Sequence, residues 1–510
     1  MNADGVIDAA SPVGKVWLVG AGPGDPGLLT MKAARAIAQA DVLVYDYLAA
    51  APIVDLASPA CERIYVGKKA GAHTLSQDEI TALIVRLGRE GRKVVRLKGG
   101  DVFVFARGGE EADELRRAGV PFEICLGITS ALAAPAYAGI PITHRDHNTS
   151  FTISTGHEDP LKGYSSLDFA KLANPKQTLV FLMAMGSLAG IVAQLRAHGM
   201  PGDLPVAIVR EGTKPTQETL VATLDTIVAE VERARFAAPA IVVIGTVVNE
   251  REKIRWFDNQ PFFGTRVLVT RAAEDAAEFA AALWEIGAEP MLAPTIALGP
   301  PLDPARARLA VERVRDYAWL VFTSRHGVDA FFAHLREARR DARALGDVRV
   351  AAIGPATASR LRRHGVEPDL VPSDAIGDAL AELLSAAVEP GARVLLYRAE
   401  EGRDVVPQAL AARGAVVDDV AGYRTVTRLD PGIVKAAAAA NVWTFTSAST
   451  VRGLTRNVED AARLQGERLV ACIGPATADA ARLAGLRVDL VAAEFTIDGL
   501  TAALRETAPA

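Results

Sequence analysis

The sequence predicts an α/β protein of several domains, and three observations carry that expectation. Short β-branched runs alternate with alanine-rich segments of helical period from residue 15 to about 248, as strands joined by crossover helices do. In the rear half a block is duplicated: VAAIGPATASRLRRHGVEPDLVPSDAIGDALAELL (350–384) returns as VACIGPATADAARLAGLRVDLVAAEFTIDGLTAAL (470–504). The length, 510 residues with half of them hydrophobic, exceeds what one core usually sustains.

Residues 1–14 lack the basic stretch and apolar stretch of an export signal and are expected to be a flexible N-terminus. Strands follow at KVWLVG, DVLVYD, KVVRLKGG, TLVFLMAM, PVAIV and AIVVIG, which together define a domain over 15–248. NEREKIRWFDNQPFFGT (249–265) breaks the alternation with charges, then aromatics, Pro261 and Gly264, so 249–261 is expected to be a linker. RVLVTR then begins a further domain, 262–508. There VFTSRHGV (321–328) matches TFTSASTV (444–451), and GTRVLVTRAAEDAAEFAAALWEIGAEP (264–290) matches GARVLLYRAEEGRDVVPQALAARGAVV (391–417). Three matched pairs predict two similar α/β lobes with a cleft between them.

Composition narrows the function. A net charge of −5, with no basic excess in either half, is not that of a nucleic-acid binder. Cys61, Cys125 and Cys472 are too scattered for a disulfide framework, and neither they nor the histidines show metal-ligand spacing, so no metal is expected. No apolar run reaches about 18 residues. The expectation is a soluble protein of the reducing cytoplasm, without nucleic-acid or membrane partners.

KVWLVG runs into AGPGDPGLLTMKAARAIAQA, a glycine-rich turn before a helix. A dinucleotide fingerprint requires glycine at its first, third and sixth positions; Gly20 and Gly22 satisfy the first and third, and Asp25 occupies the sixth. Asp25 would oppose a pyrophosphate, although Asp46 ends DVLVYD where a ribose-binding carboxylate would stand. The other reading is a structural turn, with Asp25 capping a helix that starts near Pro26. Two later loops decide the ligand class. Gly99, Gly100 and Asp101 directly follow a buried strand, and Thr129 and Ser130 precede a helix of small residues, so backbone can approach a ligand closely. Without a Walker lysine motif, such loops suit a neutral or cationic, adenosine-sized ligand better than a triphosphate.

VGAGPGDPGLLT, GKKAGAHTLSQDEI, RLKGGDVFVFARGGEE and GITSALAAPAYAGIPITHRD together resemble the uroporphyrinogen-III C-methyltransferases of the tetrapyrrole methylase family. The resemblance implies two α/β subdomains with S-adenosylmethionine in the cleft between them, and a homodimer through this domain. It places Pro23, Gly99, Gly100, Asp101, Val104, Thr129, Ser130, Met183 and Gly212 around the cofactor. It makes Asp46 the proton acceptor and Lys68 the proton donor, a pairing suited to the proton handling of ring methylation. Arg107, His144 and Arg145 are candidates for substrate carboxylates, or ordinary exposed ion pairs. The sequence departs from the family pattern at Val102 (usually proline), Ala106 (usually glycine) and Leu182-Met183-Ala184 (usually aromatic-Met-Gly). Alanine replaces glycine freely only where φ is negative.

Each rear repeat has a strand ending in Gly-Pro-Ala-Thr (354–357 and 474–477) before an amphipathic helix. Free N–H groups beyond the proline can hold carboxylates, or the threonines serve only as helix caps. VLVTR, FTSRHGV, IGPATA, AGYRT and FTSAST are similar to uroporphyrinogen-III synthase. This resemblance implies a discontinuous lobe, 262–299 plus 428–510, a second lobe, 302–424, two linking strands, and no cofactor. Tyr423 is then the donor to the departing hydroxyl, with Thr357 and Thr477 binding substrate from the helix-end loops. A half-buried Tyr423 with a satisfied hydroxyl is the plain alternative.

Together the two resemblances imply a bifunctional enzyme. It would cyclise hydroxymethylbilane to uroporphyrinogen III with inversion of the last ring, then methylate C-2 and C-7 to give precorrin-2, towards sirohaem and cobalamin. Competing readings are a methyltransferase whose rear lobes only bind or sense a tetrapyrrole, and an NAD-dependent precorrin dehydrogenase.

Overall fold

The computed structural model describes residues 13–67, 75–156, 167–374 and 376–507. Lys68, the expected proton donor, and residues 1–12 of the expected N-terminal tail lie outside the described residues. The described residues form two units: one holds those up to Thr265 with Trp284–Glu289, the other Arg266–Leu283 and residues 290–507.

In the front unit, β1 (Lys15–Gly20), β2 (Val42–Tyr45), β3 (Glu62–Tyr65), β4 (Lys93–Lys98) and β5 (Phe122–Cys125) form a parallel sheet ordered β3-β2-β4-β1-β5. β1, β2 and most of β4 are apolar on both sides because both sides are covered. Val16, Leu18, Val42, Val44 and Val94 enter one core, and Val19, Leu43, Val95 and Leu97 enter the other. A second sheet comprises β6 (Phe151–Thr155), β7 (Thr178–Leu182), β8 (Pro205–Arg210), β9 (Glu218–Thr223) and β10 (Ala240–Ile244), ordered β6-β7-β10-β8-β9. Its β6–β7 pair is parallel and the others antiparallel. Helix Ser130–Tyr137 leaves the first sheet and buries Ala131 and Ala134 against Val180, Val209 and Val243 of the second. Small residues are needed here, since a Cβ on Gly212 would lie 2.3 Å from the Cβ of Ala134.

The expected linker 249–261 is folded onto this unit instead. Thr246–Glu250 and Arg251–Ile254 are helical turns, and buried Arg251 pairs with Asp258 and donates to the carbonyl of Ala138. The aromatics that read as a boundary are packing groups: Trp256 and Phe257 stand edge to face with Tyr137 at 4.9 and 4.8 Å, and Phe262 is buried.

The rear unit contains β11 (Arg266–Val269), β12 (Glu289–Leu292), β13 (Ile296–Gly299), β14 (Trp319–Phe322), β15 (Arg349–Ala352), β16 (Arg393–Ala399), β17 (Val416–Thr427), β18 (Val442–Phe445), β19 (Leu469–Cys472) and β20 (Leu490–Val491). They make two sheets, β12-β11-β18-β19-β20 and β13-β17-β16-β14-β15, so one lobe is discontinuous. The return crossing falls at the expected 428, since β17 ends at Thr427, but the first lies before the expected 299. β13 pairs antiparallel with β17, Ile296 opposite Thr427, which puts residues 296–299 in the second lobe. The 12-residue β17 extends past β16 and would otherwise present unpaired edge groups, which β13 covers. At the crossing, buried Thr295 shares its hydroxyl proton between the carbonyls of Thr270 and Thr450, each at 3.1 Å.

Candidate active sites

Ligands of parallel α/β sheets bind beyond the carboxyl ends of the strands. There Pro23 follows β1, Asp46 follows β2, Gly99, Gly100, Asp101 and Val104 follow β4, and Thr129 and Ser130 follow β5. Backbone contacts lock three of these loops together. Gly22 and Gly100, at φ +75° and +69°, exchange hydrogen bonds of 3.0 and 2.8 Å. A Cβ on Gly127 would lie 2.2 Å from the carbonyl oxygen of Gly100 and 2.8 Å from Cα of Gly20. Both oxygens of Asp101 are taken by backbone: Oδ1 accepts from the N–H groups of Phe103 (2.8 Å) and Val104 (3.2 Å), and Oδ2 from Gly127 (3.1 Å). Asp101 therefore shapes the β4 and β5 loops rather than offering a free carboxylate.

Asp25 is a cap, as the structural reading of the first loop expects. Its Oδ1 accepts from the N–H of Gly27 (2.7 Å) ahead of the short turn Pro26–Leu28, while Thr30 caps helix Met31–Ala38. Asp25 also ties the two sheets together, accepting from the Tyr137 hydroxyl (2.6 Å) and donating its N–H to Thr213 Oγ1 (3.1 Å). Burial, and then this bond to Asp25, push the Tyr137 phenol above its usual range. From the second sheet, Met183 follows β7 at φ +54° with half its surface exposed, and Gly212 follows β8 between Glu211 (+48°) and Thr213 (+73°). β7 and β8 are each antiparallel to β10, so these loops emerge at one edge. Ala184 takes φ −93°, and Ala106 is not among the residues of positive φ, so neither alanine sits where glycine is required.

Beneath the β4 loop lies a charged cluster that sequence reasoning missed. Arg96 and Lys98 stand two apart on β4, both buried, and Glu111 is fully buried on helix Gly108–Arg117. Glu111 Oε1 accepts from Lys98 Nζ (2.9 Å), Gln77 Nε2 (2.8 Å) and Arg96 Nε (3.4 Å), while Arg96 Nη2 reaches Asp46 Oδ2 at 3.2 Å. Asp46 Oδ1 accepts from the N–H of Leu48 at 3.1 Å. Burial, and next Arg96, push the Lys98 ammonium below the usual lysine range against the pull of Glu111. The available signal was the pair of cations at i and i+2 in an otherwise apolar strand. Arg107 is exposed and pairs bidentately with Glu110 (2.8 and 2.5 Å), the ordinary ion pair of the plain reading, while Arg145 is exposed and His144 half-buried.

In the rear unit Tyr423 lies on β17 with its hydroxyl 2.9 Å from Ser324 Oγ. Ser324 is the N-cap of helix Arg325–Glu337 and accepts from the N–H of Gly327 at 3.0 Å. Burial pushes the Tyr423 phenol up, so it holds its proton at neutral pH. The imidazole of His326 stands edge to face with the Tyr423 ring, centroids 5.8 Å apart. Thr357 and Thr477 are buried in the first turns of Pro355–Arg363 and Pro475–Leu483. They are not the caps of the plain reading: Gly354 and Gly474 hold those positions.

Residues 15–228 match the family of tetrapyrrole (corrin/porphyrin) methylases, and residues 277–502 match uroporphyrinogen-III synthase HemD. A porphyrin biosynthesis protein HemD of Ruminiclostridium josui is 39% identical over 97% of this chain and 98% of its own length. The chain belongs to this fusion family. It carries a methyltransferase domain and a uroporphyrinogen-III synthase domain, and is a bifunctional enzyme of tetrapyrrole biosynthesis. A uroporphyrinogen-III C-methyltransferase of Bacillus subtilis is 40% identical over 70% of this chain and 74% of its own. A solved uroporphyrin-III C-methyltransferase of Thermus thermophilus, complexed with S-adenosylhomocysteine, is 39% identical over 46% of this chain and 99% of its own, with a TM-score of 0.40. Among the described residues no helix is long and apolar enough to cross a membrane.

The front site fits S-adenosylmethionine on its own chemistry. Its loops offer backbone groups and the Thr129 and Ser130 hydroxyls, and exposed Leu126 and Ile128 after β5, Leu132 on the helix that follows and Met183 after β7 supply apolar surface. Uncharged polar groups beside apolar ones suit an adenosine bearing an amino acid better than a polyphosphate.

Proposed function

We propose that the rear unit cyclises hydroxymethylbilane to uroporphyrinogen III with inversion of the last ring. The front unit then methylates this product at C-2 and C-7 to precorrin-2, for sirohaem and cobalamin. The interlocked glycine junction of Gly20, Gly22, Gly100 and Gly127 carries the methyltransferase reading, because it brings backbone from three strand ends to one place. S-adenosylmethionine is the methyl donor and supplies an electrophilic sulfonium methyl. Its transfer requires alignment more than acid catalysis, and positioning contributes up to about 7–11 kcal/mol in favourable cases. Pro23, Gly99, Gly100, Val104, Thr129, Ser130, Met183 and Gly212 frame the donor, with Asp101 holding their loops. Asp46 accepts the proton released as the ring rearranges, steadied by Arg96, and Lys68 returns one. Arg107, His144 and Arg145 meet substrate carboxylates.

The Tyr423–Ser324 pair carries the synthase reading. Ser324 Oγ already accepts from Gly327, so its own proton is available to Tyr423, leaving the tyrosine proton free to donate. As the carbon–oxygen bond of the hydroxymethyl group breaks, Tyr423 protonates the departing hydroxide to water. The proton lost from the free α-carbon of the last ring on final closure restores the phenol. Thr357 and Thr477 hold substrate from the two helix-end loops. The enzyme works as a homodimer in the cytoplasm, a state consistent with three unpaired cysteines.

The deciding experiment supplies hydroxymethylbilane with and without S-adenosylmethionine and resolves the products by absorbance, mass and isomer. Isomer III is expected without the cofactor and a doubly methylated product with it. Formation of isomer I alone would reject the synthase reading. Asp46→Asn should impair methylation only, and Tyr423→Phe ring inversion only; loss of both activities in either variant would reject the assignment of the two sites.

A further inference from the structure

Beside Tyr423 the two lobes of the rear unit exchange charged groups. Asp275, on the first helix of the discontinuous lobe (Ala273–Trp284), reaches the other lobe: its Oδ1 lies 2.7 Å from Arg325 Nη2 and its Oδ2 3.0 Å from His326 Nε2. Arg325 and His326 open the helix capped by Ser324, the residue bonded to the Tyr423 hydroxyl, and the His326 ring packs against the tyrosine ring. One carboxylate therefore faces both residues that follow the cap, as an ion pair with Arg325 and at close range to the His326 ring. The other charged groups close by are Arg271, 4.0 Å from Asp275, and Glu278, 4.0 Å from Arg325. A second ion pair, Arg452–Glu401, also crosses the lobes, but both side chains are more than half exposed and water screens it. The Asp275 side chain is only 16% exposed.

We propose that Asp275 is a positioning residue for ring inversion, acting from one lobe through His326 and Arg325 to fix the Ser324–Tyr423 pair of the other. The inference rests on Tyr423 being the donor to the departing hydroxyl. If the helix start turns or slides, Ser324 and the His326 ring move with it, and the phenol loses both its hydrogen-bond partner and the wall that sets its ring plane. Positioning errors on this scale act on turnover more than on binding.

The test uses the full-length enzyme and a double-mutant cycle. Asp275→Asn is expected to lower kcat for uroporphyrinogen III formation about tenfold with KM within about twofold, to raise the share of isomer I, and to be partly rescued by Asp275→Glu. In the Tyr423→Phe background the same substitution should change kcat by less than about twofold, because the group it positions is gone. Wild-type turnover and isomer ratio in Asp275→Asn would overturn the proposal, and so would independent, multiplicative losses in the double variant. Methylation of supplied uroporphyrinogen III and the unfolding midpoint report whether the chain is intact. Should Asp275→Asn fail to fold, His326→Gln carries the same cycle with the same expectations. If Tyr423→Phe alone is fully active, the tyrosine reading falls and the positioning role falls with it, an outcome visible in that single variant.

Discussion

Gly127→Ala should disable the methyltransferase site with one methyl group. No positive φ is required at Gly127, so alanine meets no conformational penalty and the effect is steric. The added Cβ would lie 2.2 Å from the Gly100 oxygen, where ordinary contact begins near 3.4 Å, so the Gly100 carbonyl must retreat by about 1.2 Å, the difference between the two. The obstacle is backbone, which cannot swing aside as a side chain can. That retreat opens the Gly22–Gly100 bridge, and it strains the bond from the Gly127 N–H to Asp101 that joins the β5 loop to the β4 loop. Overpacking of this kind costs about 1–3 kcal/mol of stability. A 1 Å displacement of positioning groups lowers turnover about 100-fold. Calorimetry with S-adenosylhomocysteine, thermal unfolding and methylation of uroporphyrinogen III measure the three consequences, while isomer III formation by the rear unit should be unchanged. An alanine variant that binds S-adenosylhomocysteine within about twofold of wild type and unfolds at the same temperature would refute the reasoning.

Glu111→Gln should destabilise the front unit by about 3–5 kcal/mol in urea unfolding, because Arg96 and Lys98 are balanced by Asp46 and Glu111 and the change leaves a buried cation uncompensated. Adding Lys98→Met should recover part of the loss, and a double variant no better than the single would count against the charge argument. Asp275 gives a pH signature: burial raises its carboxyl, but His326 and Arg325 outweigh that and hold it at about 2, below the ordinary 3.8. A depressed carboxylate stabilises the fold fully above its unfolded value and ceases to as pH falls through the folded one, so the stability gap between wild type and Asp275→Asn should be complete at pH 6 and close between about pH 4 and 2. A gap constant across that range would exclude the ionised latch. All three cysteines are free and buried, and burial pushes the Cys472 thiol up to about 12, so a disulfide reagent at pH 8 should titrate almost no thiol in native enzyme and three after denaturation.

The strand–helix alternation and the duplicated rear block made the architecture legible, because period and repetition are local properties that survive in one dimension. The strand-end loops were legible for a similar reason: glycine and hydroxyl residues directly after an apolar run mark where backbone is left open. Residues 249–261 misled because charges and aromatics in series resemble a connector, and only the neighbouring surface, with Tyr137 and the Ala138 carbonyl, turns them into packing groups. The lobe crossing was misplaced for an equivalent reason, since β13 is assigned by its hydrogen-bond partner β17 and not by its own composition.

By itself the sequence determined the two-domain α/β organisation, the twin lobes, and the identity of Asp46, the Gly99–Gly100 loop and Tyr423 as candidate chemistry. Tertiary structure alone decided which groups these side chains meet. It turned Asp25 and Asp101 into organisers of loops, set Arg96 between Asp46 and Glu111, and brought Asp275 to His326 across about 50 residues of chain. Charge pairing depends on distance in space and on exclusion of water, and a linear sequence encodes neither.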